Sequence, residues 1–134
     1  MPADFLDTNV LVYAFTTDPR MDRANALLSS DCITSVQGLN EFANVARRKL
    51  GMNWIELKLA LTSLRAVLRA IVPLDLKTHD TALEIAERYG FSFYDSLMIA
   101  AALAAGSAIV WSEDMQHDMV IDGRLRIANP FTTP

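Results

Sequence analysis

Residues 3–11 read Ala3-Asp4-Phe5-Leu6-Asp7-Thr8-Asn9-Val10-Leu11. The short run 3–6 has the make-up of a strand, and it runs directly into an acid. Asn9 is placed to cap a helix continuing through Val10, Leu11 and Tyr13. The same alternation continues outward. Pro19 suits an early helical position before a helix over 21–28. Cys32-Ile33-Thr34 reads as a second strand, and Ser35 caps a helix that buries Leu39, Phe42, Ala43, Ala46 and Leu50 until Gly51 ends it. Asn53 with Glu56 forms a capping box for a helix to about residue 69. Ile71-Val72-Pro73-Leu74 is a third strand whose proline assigns it to a sheet edge. Helices over 78–89 and 94–105 end at Gly90 and Gly106. Ala108-Ile109-Val110-Trp111 is an apolar strand expected to be buried on both faces. An Asp122-Gly123 turn separates Val120-Ile121 from a last short strand at Leu125-Arg126-Ile127. Strands alternating with helices predict a three-layer α/β/α fold around a central, mainly parallel sheet. The chain reads as one domain over 1–134.

Four acids stand out in that frame: Asp7, Glu41, Asp95 and Asp114. Asp7 follows the first strand and Asp114 the apolar strand 108–111, so both belong at the carboxyl edge of the sheet, where ligands gather. Asp95 lies in the first turn of its helix, and Glu41 about two turns into its own. An acid packed beside a sheet is costly without a partner, and no regular set of basic residues stands at matching strand ends. A divalent cation explains all four together, because Mg²⁺ and Mn²⁺ prefer carboxylate and water oxygens. Each acid also has a plainer reading. Asp7 could cap the first helix, Glu41 could be a solvated helix residue, Asp95 could simply suit the positive end of the helix dipole, and position does not separate Asp114 from Glu113. The coincidence of the four carries the case. His79 and His117 read as surface residues, since two unpaired histidines make no zinc signature.

The bulk numbers bound the alternatives. At 134 residues, with 51% hydrophobic and 21% charged, the chain is a globular domain with a real core. Cys32 is the single cysteine, so no internal disulfide exists. The opening residues do not form a signal peptide, and the apolar run 97–105 is too short to span a bilayer. A soluble, cytoplasmic protein without membrane contact is expected. The net charge of −4 argues against a nucleic-acid partner at first sight. Two divalent ions at the acids would add roughly +4, however, and leave room for a basic rim. Arg47-Arg48-Lys49 could form part of one, or could serve only as a helix end that complements the dipole.

Four motifs together resemble those of PIN domains: Phe5-Leu6-Asp7-Thr8-Asn9-Val10-Leu11, Asn40-Glu41-Phe42, Tyr94-Asp95-Ser96-Leu97 and Trp111-Ser112-Glu113-Asp114-Met115. The tail, with Asp122-Gly123 and Ile127-Ala128-Asn129-Pro130-Phe131, is similar to bacterial VapC-type toxins. The resemblance covers essentially the whole chain, in order. It implies an Mg²⁺- or Mn²⁺-dependent endoribonuclease that is the toxin of a toxin–antitoxin system, with RNA as substrate, a cognate antitoxin as partner, and a homodimer. It maps the acidic quartet onto Asp7, Glu41, Asp95 and Asp114. A further acid of some members corresponds to Asp118, and a Thr or Ser often found two residues before the fourth acid is Ser112. On this reading Asp7 and Asp95 are the main metal ligands, with Glu41 and Asp114 completing the site. Asn9 and Ser112 hold waters or a phosphate oxygen, and Arg47 and Arg48 position the RNA backbone. The alternative is a non-enzymatic, Mg²⁺-binding receiver-like signalling domain. That reading wants a pair of acids after the first strand and a lysine partner for Asp75, and neither is evident. A phosphatase with Asp7 as nucleophile would want a second acid where Asn9 stands.

Overall fold

The computed structural model describes residues 2–132. The chain runs β1 (Asp4–Leu6), α1 (Thr8–Tyr13), α2 (Met21–Leu28), β2 (Cys32–Ser35), α3 (Val36–Arg48), α4 (Trp54–Val67), β3 (Ile71–Val72), α5 (Leu76–Tyr89), α6 (Phe93–Ala104), β4 (Ile109–Trp111), β5 (Val120–Ile121) and β6 (Leu125–Ala128). The strands form one sheet in the order β3-β2-β1-β4-β6-β5. All pairings are parallel except β5 with β6. The expected three-layer α/β/α arrangement is present, and β3, with Pro73 just beyond it, is the edge strand that the proline required.

Alternation along the strands builds two cores. Phe5 and Ile33 face a cluster with Met98, Ile99, Ala102 and Val110, against α5 and α6. Their neighbours Leu6 and Cys32 face the other way, into a cluster with Leu11, Leu27, Phe42, Ala46 and Leu64 from α1–α4. A strand period of two sends consecutive side chains to opposite faces. α6 is apolar all round and is buried from Ser96 to Leu103, as a helix packed between a sheet and α5 must be. Val110 is fully buried, whereas Ile109 and Trp111 at the ends of β4 are only half-buried. The strand is too short to cover all three residues on both faces.

Local chemistry sets the helix ends, with some differences from the sequence reading. Asp7, not Asn9, caps α1: its side chain accepts from the Thr8 amide. Asp75 caps α5 by accepting from the Thr78 amide and hydroxyl, so that helix starts two residues earlier than its apolar pattern suggests. Ser35 caps α3 through Gly38, and Asn53 with Glu56 closes the capping box of α4. Gly38 has a steric role besides. A Cβ there would run into Thr34 Oγ1, which donates to the Leu6 carbonyl at 2.9 Å. The missing side chain lets α3 sit directly on β2.

The order of the strands fixes where a ligand can bind. β2 and β3 extend the sheet to one side of β1, and β4 then returns to its other side. The reversal falls between β1 and β4, and in parallel α/β sheets the crevice at the carboxyl ends of such a strand pair is the preferred ligand site.

Candidate functional site

β1 ends at Leu6 and β4 at Trp111, so Asp7 and Ser112 leave the sheet side by side at that crevice. The Asp7 amide donates to the Trp111 carbonyl at 3.0 Å, tying the two strand ends together. Ser112 Oγ then donates to Asp7 Oδ2 at 2.7 Å and accepts from the Met115 amide at 3.2 Å. The Asp7 carboxylate is thus held on one oxygen by the Thr8 amide at 2.8 Å and on the other by a serine hydroxyl. Among the described residues no lysine or arginine pairs with it. Capping and site placement coexist in this one residue.

Asp7 is 4% exposed, and its pKa is pushed up from an ordinary 3.8 to about 7. Loss of water is the largest cause. The Ser112 and Thr8 hydrogen bonds work against it, and the charges of Asp95 and Glu41 add to it. Asp95, at the third position of α6 with its amide donating to Ser92 Oγ, is also raised, first by burial and then by the charge of Asp114, with Ser92 opposing. The four acids therefore share one electrostatic neighbourhood, with Asp7 at its buried end. Burial with like-charged neighbours is the arrangement that shifts carboxylates upward, and such shifts concentrate at functional sites.

Neutral side chains hold the acids in place. Asn9 Nδ2 donates to Asp114 Oδ2 at 3.0 Å and approaches Asp7 Oδ2 at 3.5 Å, while Asn9 Oδ1 accepts from the Glu113 amide at 3.3 Å. Thr8 Oγ1 and Gln37 Nε2 donate to the two oxygens of Glu41 at 3.1 and 2.9 Å. Thr8 and Gln37 were not among the candidates from sequence. Both stand within one helical turn of a site acid, and that proximity was the available signal. Structure also separates Glu113 from Asp114. Glu113 accepts from the Tyr13 hydroxyl at 2.7 Å and pairs with Arg20 at 3.3 Å, and Arg20 also donates to the Tyr13 hydroxyl. Among the described residues Asp114 is bonded by Asn9 alone. The loop 112–114 is thereby pinned on both sides, with one acid neutralised and the next left available.

A cleft of about 330 Å³ opens over this region, lined by Thr8, Asn9, Glu41, Lys49 and Asp114 among others. Of the basic run, Lys49 reaches this cleft. Arg47 is committed elsewhere, stacked on Trp54 at 4.1 Å and donating to the Met52 carbonyl at 2.8 Å, and Arg48 is exposed. Asp118 is engaged by Arg126 at 3.0 Å and His117 at 3.4 Å, away from the quartet's hydrogen bonds. Asp75, the acid that a receiver-like domain would need, is occupied by Thr78, which holds its pKa low.

The donor set suits a hard divalent ion: carboxylate oxygens, one deeply buried and without a cationic partner. Among the described residues no three His, Cys, Asp or Glu side chains converge into a closed ligand cage. An open set of this kind fits an ion such as Mg²⁺, which is commonly held by one or two carboxylates with waters and a phosphate completing its shell. No helix among the described residues is long and apolar enough to cross a membrane.

The PIN domain family model matches residues 5–120. No curated protein matches the sequence. Similar solved structures include VapC20 of Mycobacterium tuberculosis, a sarcin–ricin-loop-cleaving toxin, at 22% identity and TM-score 0.70 over 84% of this chain and 92% of that one. A toxin–antitoxin complex from Klebsiella pneumoniae matches at 13% identity and TM-score 0.72, covering 98% of this chain and 100% of the other. VapBC2 of Rickettsia felis, bound to a fragment of its promoter DNA, matches at 20% and 0.68 over 95% and 98% of the two chains. At these identities the likeness is one of fold.

Proposed function

This chain belongs to the PIN domain family, and on that footing we propose that it is a metal-dependent endoribonuclease, the toxin of a toxin–antitoxin pair. The observation that carries the reading is Asp7: a buried carboxylate at the strand-order reversal, with acids around it and, among the described residues, only neutral donors holding it. Such a group is an unfavourable element of a fold unless a cation joins it.

In this reading Asp7 and Asp95 hold Mg²⁺ or Mn²⁺, directly or through water, and Glu41 and Asp114 complete the site. The chemistry such an ion would supply there is a lowered pKa of bound water near neutral pH and an offset to charge on the scissile phosphate. The chain's own residues do the aiming. Ser112 and the Thr8 amide fix the plane of the Asp7 carboxylate, Thr8 and Gln37 orient Glu41, and Asn9 steadies Asp114 across the crevice. A site carboxylate would take up the proton of the water that adds to phosphorus, while the P–O bond to the leaving ribose oxygen breaks and that oxygen is protonated from solvent. Lys49 at the cleft, with the exposed Arg48 beside it in sequence, meets the RNA backbone on the rim.

The same reading supplies the partners. The R. felis and K. pneumoniae structures are toxin–antitoxin assemblies, and this chain presents a surface suited to one. Trp54, Ile55, Leu59 and Val67 of α4 are all more than half exposed, and Ile55 and Leu59, one turn apart on its outer face, offer an apolar contact to an amphipathic antitoxin helix. An antitoxin arginine reaching the acids would match them bidentately. Self-association into a homodimer belongs to the same reading.

The test is cleavage of structured and unstructured RNAs by the purified protein. Activity should disappear in excess chelator, return with Mg²⁺ or Mn²⁺, and return poorly with Ca²⁺, which tolerates irregular coordination and organises in-line attack badly. Full cleavage in chelator refutes the metal mechanism. Harmless overexpression without a neighbouring antitoxin gene removes the toxin assignment.

A further inference from the structure

A second cleft, of about 460 Å³, adjoins the acid cleft and shares Glu41 and Val45 with it. Its other lining residues are Gln37, Asn40, Asn44 and Tyr94. Positions 37, 40, 41, 44 and 45 recur at three- and four-residue spacing, so they form one face of α3. Tyr94 closes the opposite side from the first turn of α6, directly before Asp95, and it is 63% exposed.

The composition of this cleft is selective. It contains no lysine or arginine, so it is not built to clamp phosphate. Asn40 and Asn44 are exposed, and among the described residues their amides make no hydrogen bond; Asn25 on α2 is free in the same way but lines no cleft with an aromatic ring across from it, as these two do with Tyr94. Asparagine is a poor helix former, so neither residue is there for the sake of α3. Each amide presents a donor and an acceptor side by side, the complement of a nucleobase edge. An exposed aromatic ring facing such a pair is what single-stranded RNA recognition uses for stacking. The volume falls within the roughly 300–1,000 Å³ typical of clefts for ligands of this size.

We propose that this cleft is a base-reading subsite for single-stranded RNA, in which a nucleobase next to the scissile phosphate stacks on Tyr94 and has its edge read by Asn40 and Asn44. The inference rests on the ribonuclease reading for its substrate. The shared wall at Glu41 places a base in this cleft one step from a phosphate at the acids. Sequence preference then arises from neutral amides, and backbone attraction from the separate basic rim.

The experiment measures binding of short fluorescent homopolymers of rA, rC, rG and rU by anisotropy, with Ca²⁺ in place of Mg²⁺, and cleavage-site mapping on a mixed RNA with Mg²⁺. The wild-type chain should prefer one base over the poorest by about tenfold. Asn40→Ala with Asn44→Ala should collapse that preference to about threefold or less, and alanine, the better helix former, keeps α3 intact. Tyr94→Ala should weaken binding of the homopolymers about tenfold, and Tyr94→Phe should restore it. Base preference and affinity unchanged in both variants, or no homopolymer binding by the wild type, overturns the subsite. Binding that follows this pattern without any cleavage leaves the subsite standing and refutes the nuclease reading, so the two failures are distinct.

Discussion

Replacing Asp7 with asparagine tests whether this acid serves the fold or a ligand. Without divalent metal at about pH 8, Asp7 is ionised in the folded and the unfolded chain alike, and folding strips its charge of water. A carboxyl raised from 3.8 to about 7 carries an upper-limit penalty of about 4 kcal/mol. Asparagine removes the charge and can still accept from the Thr8 amide, and it is as good a helix cap as aspartate. It cannot accept from Ser112 Oγ at the second oxygen, which returns roughly 1–2 kcal/mol of the gain. The net expectation for Asp7→Asn in chelator is a stabilisation of about 2 kcal/mol, or about 5–10 °C in Tm for a domain of this size. The pH dependence gives a second, independent sign. The folded chain keeps this proton up to about pH 7 and the unfolded chain releases it near 4, so the native state binds more protons across that window. Wild-type stability therefore falls as pH rises through it and levels off above. The advantage of asparagine should shrink by about 2–3 kcal/mol between about pH 8 and pH 5, bringing the two melting curves together. Thermal melts in chelator at both pH values, repeated with Mg²⁺, supply the measurement. Mg²⁺ should raise the wild-type Tm and leave the variant's nearly unmoved. A variant less stable than wild type at pH 8, or an advantage independent of pH, refutes the assignment of Asp7 as a destabilised ligand.

Three further outcomes follow from the same geometry. Asp114→Asn should abolish RNA cleavage, while Glu113→Gln, whose carboxylate is already taken by Arg20 and Tyr13, should keep it within a few-fold and cost no more than about 1 kcal/mol in a denaturant titration. Gly38→Ala forces Thr34 and α3 apart; it should destabilise the fold by about 1–3 kcal/mol despite alanine's helix propensity, and lower cleavage through the displaced Glu41. Cys32 is buried, and its thiol is pushed up to about 11 by burial first and by Asp31 and Asp4 after it. It should resist alkylation at about pH 8 in the native protein and react fully once unfolded.

What the sequence shows depends on how local the cause is. Ser35, Asn53, Gly90 and Pro73 act over a few residues, and their caps, stop and edge position are readable in order along the chain. The start of α5 is not legible in the apolar pattern, because Asp75 sits outside it and acts as a cap only by bonding Thr78. Asn9 looked like the cap of α1 because it is a good capping residue. In the fold its amide instead bridges Asp114 and the Glu113 amide, groups more than a hundred residues away. The choice between Glu113 and Asp114 needed the same kind of information: Tyr13 and Arg20 neutralise one of them from another part of the chain. Asn40 stands in one of the four motifs and Asn44 in none, and the pair points to base reading only once Tyr94 is seen across the cleft.

The placement of β4 beside β1 also governs when the crevice comes into being. The hydrogen bond from Ser112 to Asp7 closes a loop of 105 residues, and contacts so distant in sequence come late because the chain entropy they cost must be met before they return anything. β1, β2 and β3 can pair with the helices between them while the later strand is still absent. Asp7 then lies at an open sheet edge, solvated and without its neighbours. On the nuclease reading proposed above, the site is therefore incomplete until the later strand has paired. Asp7 and Asp114 are brought together only when β4 pairs with β1, so assembly of the crevice and completion of the sheet are one event.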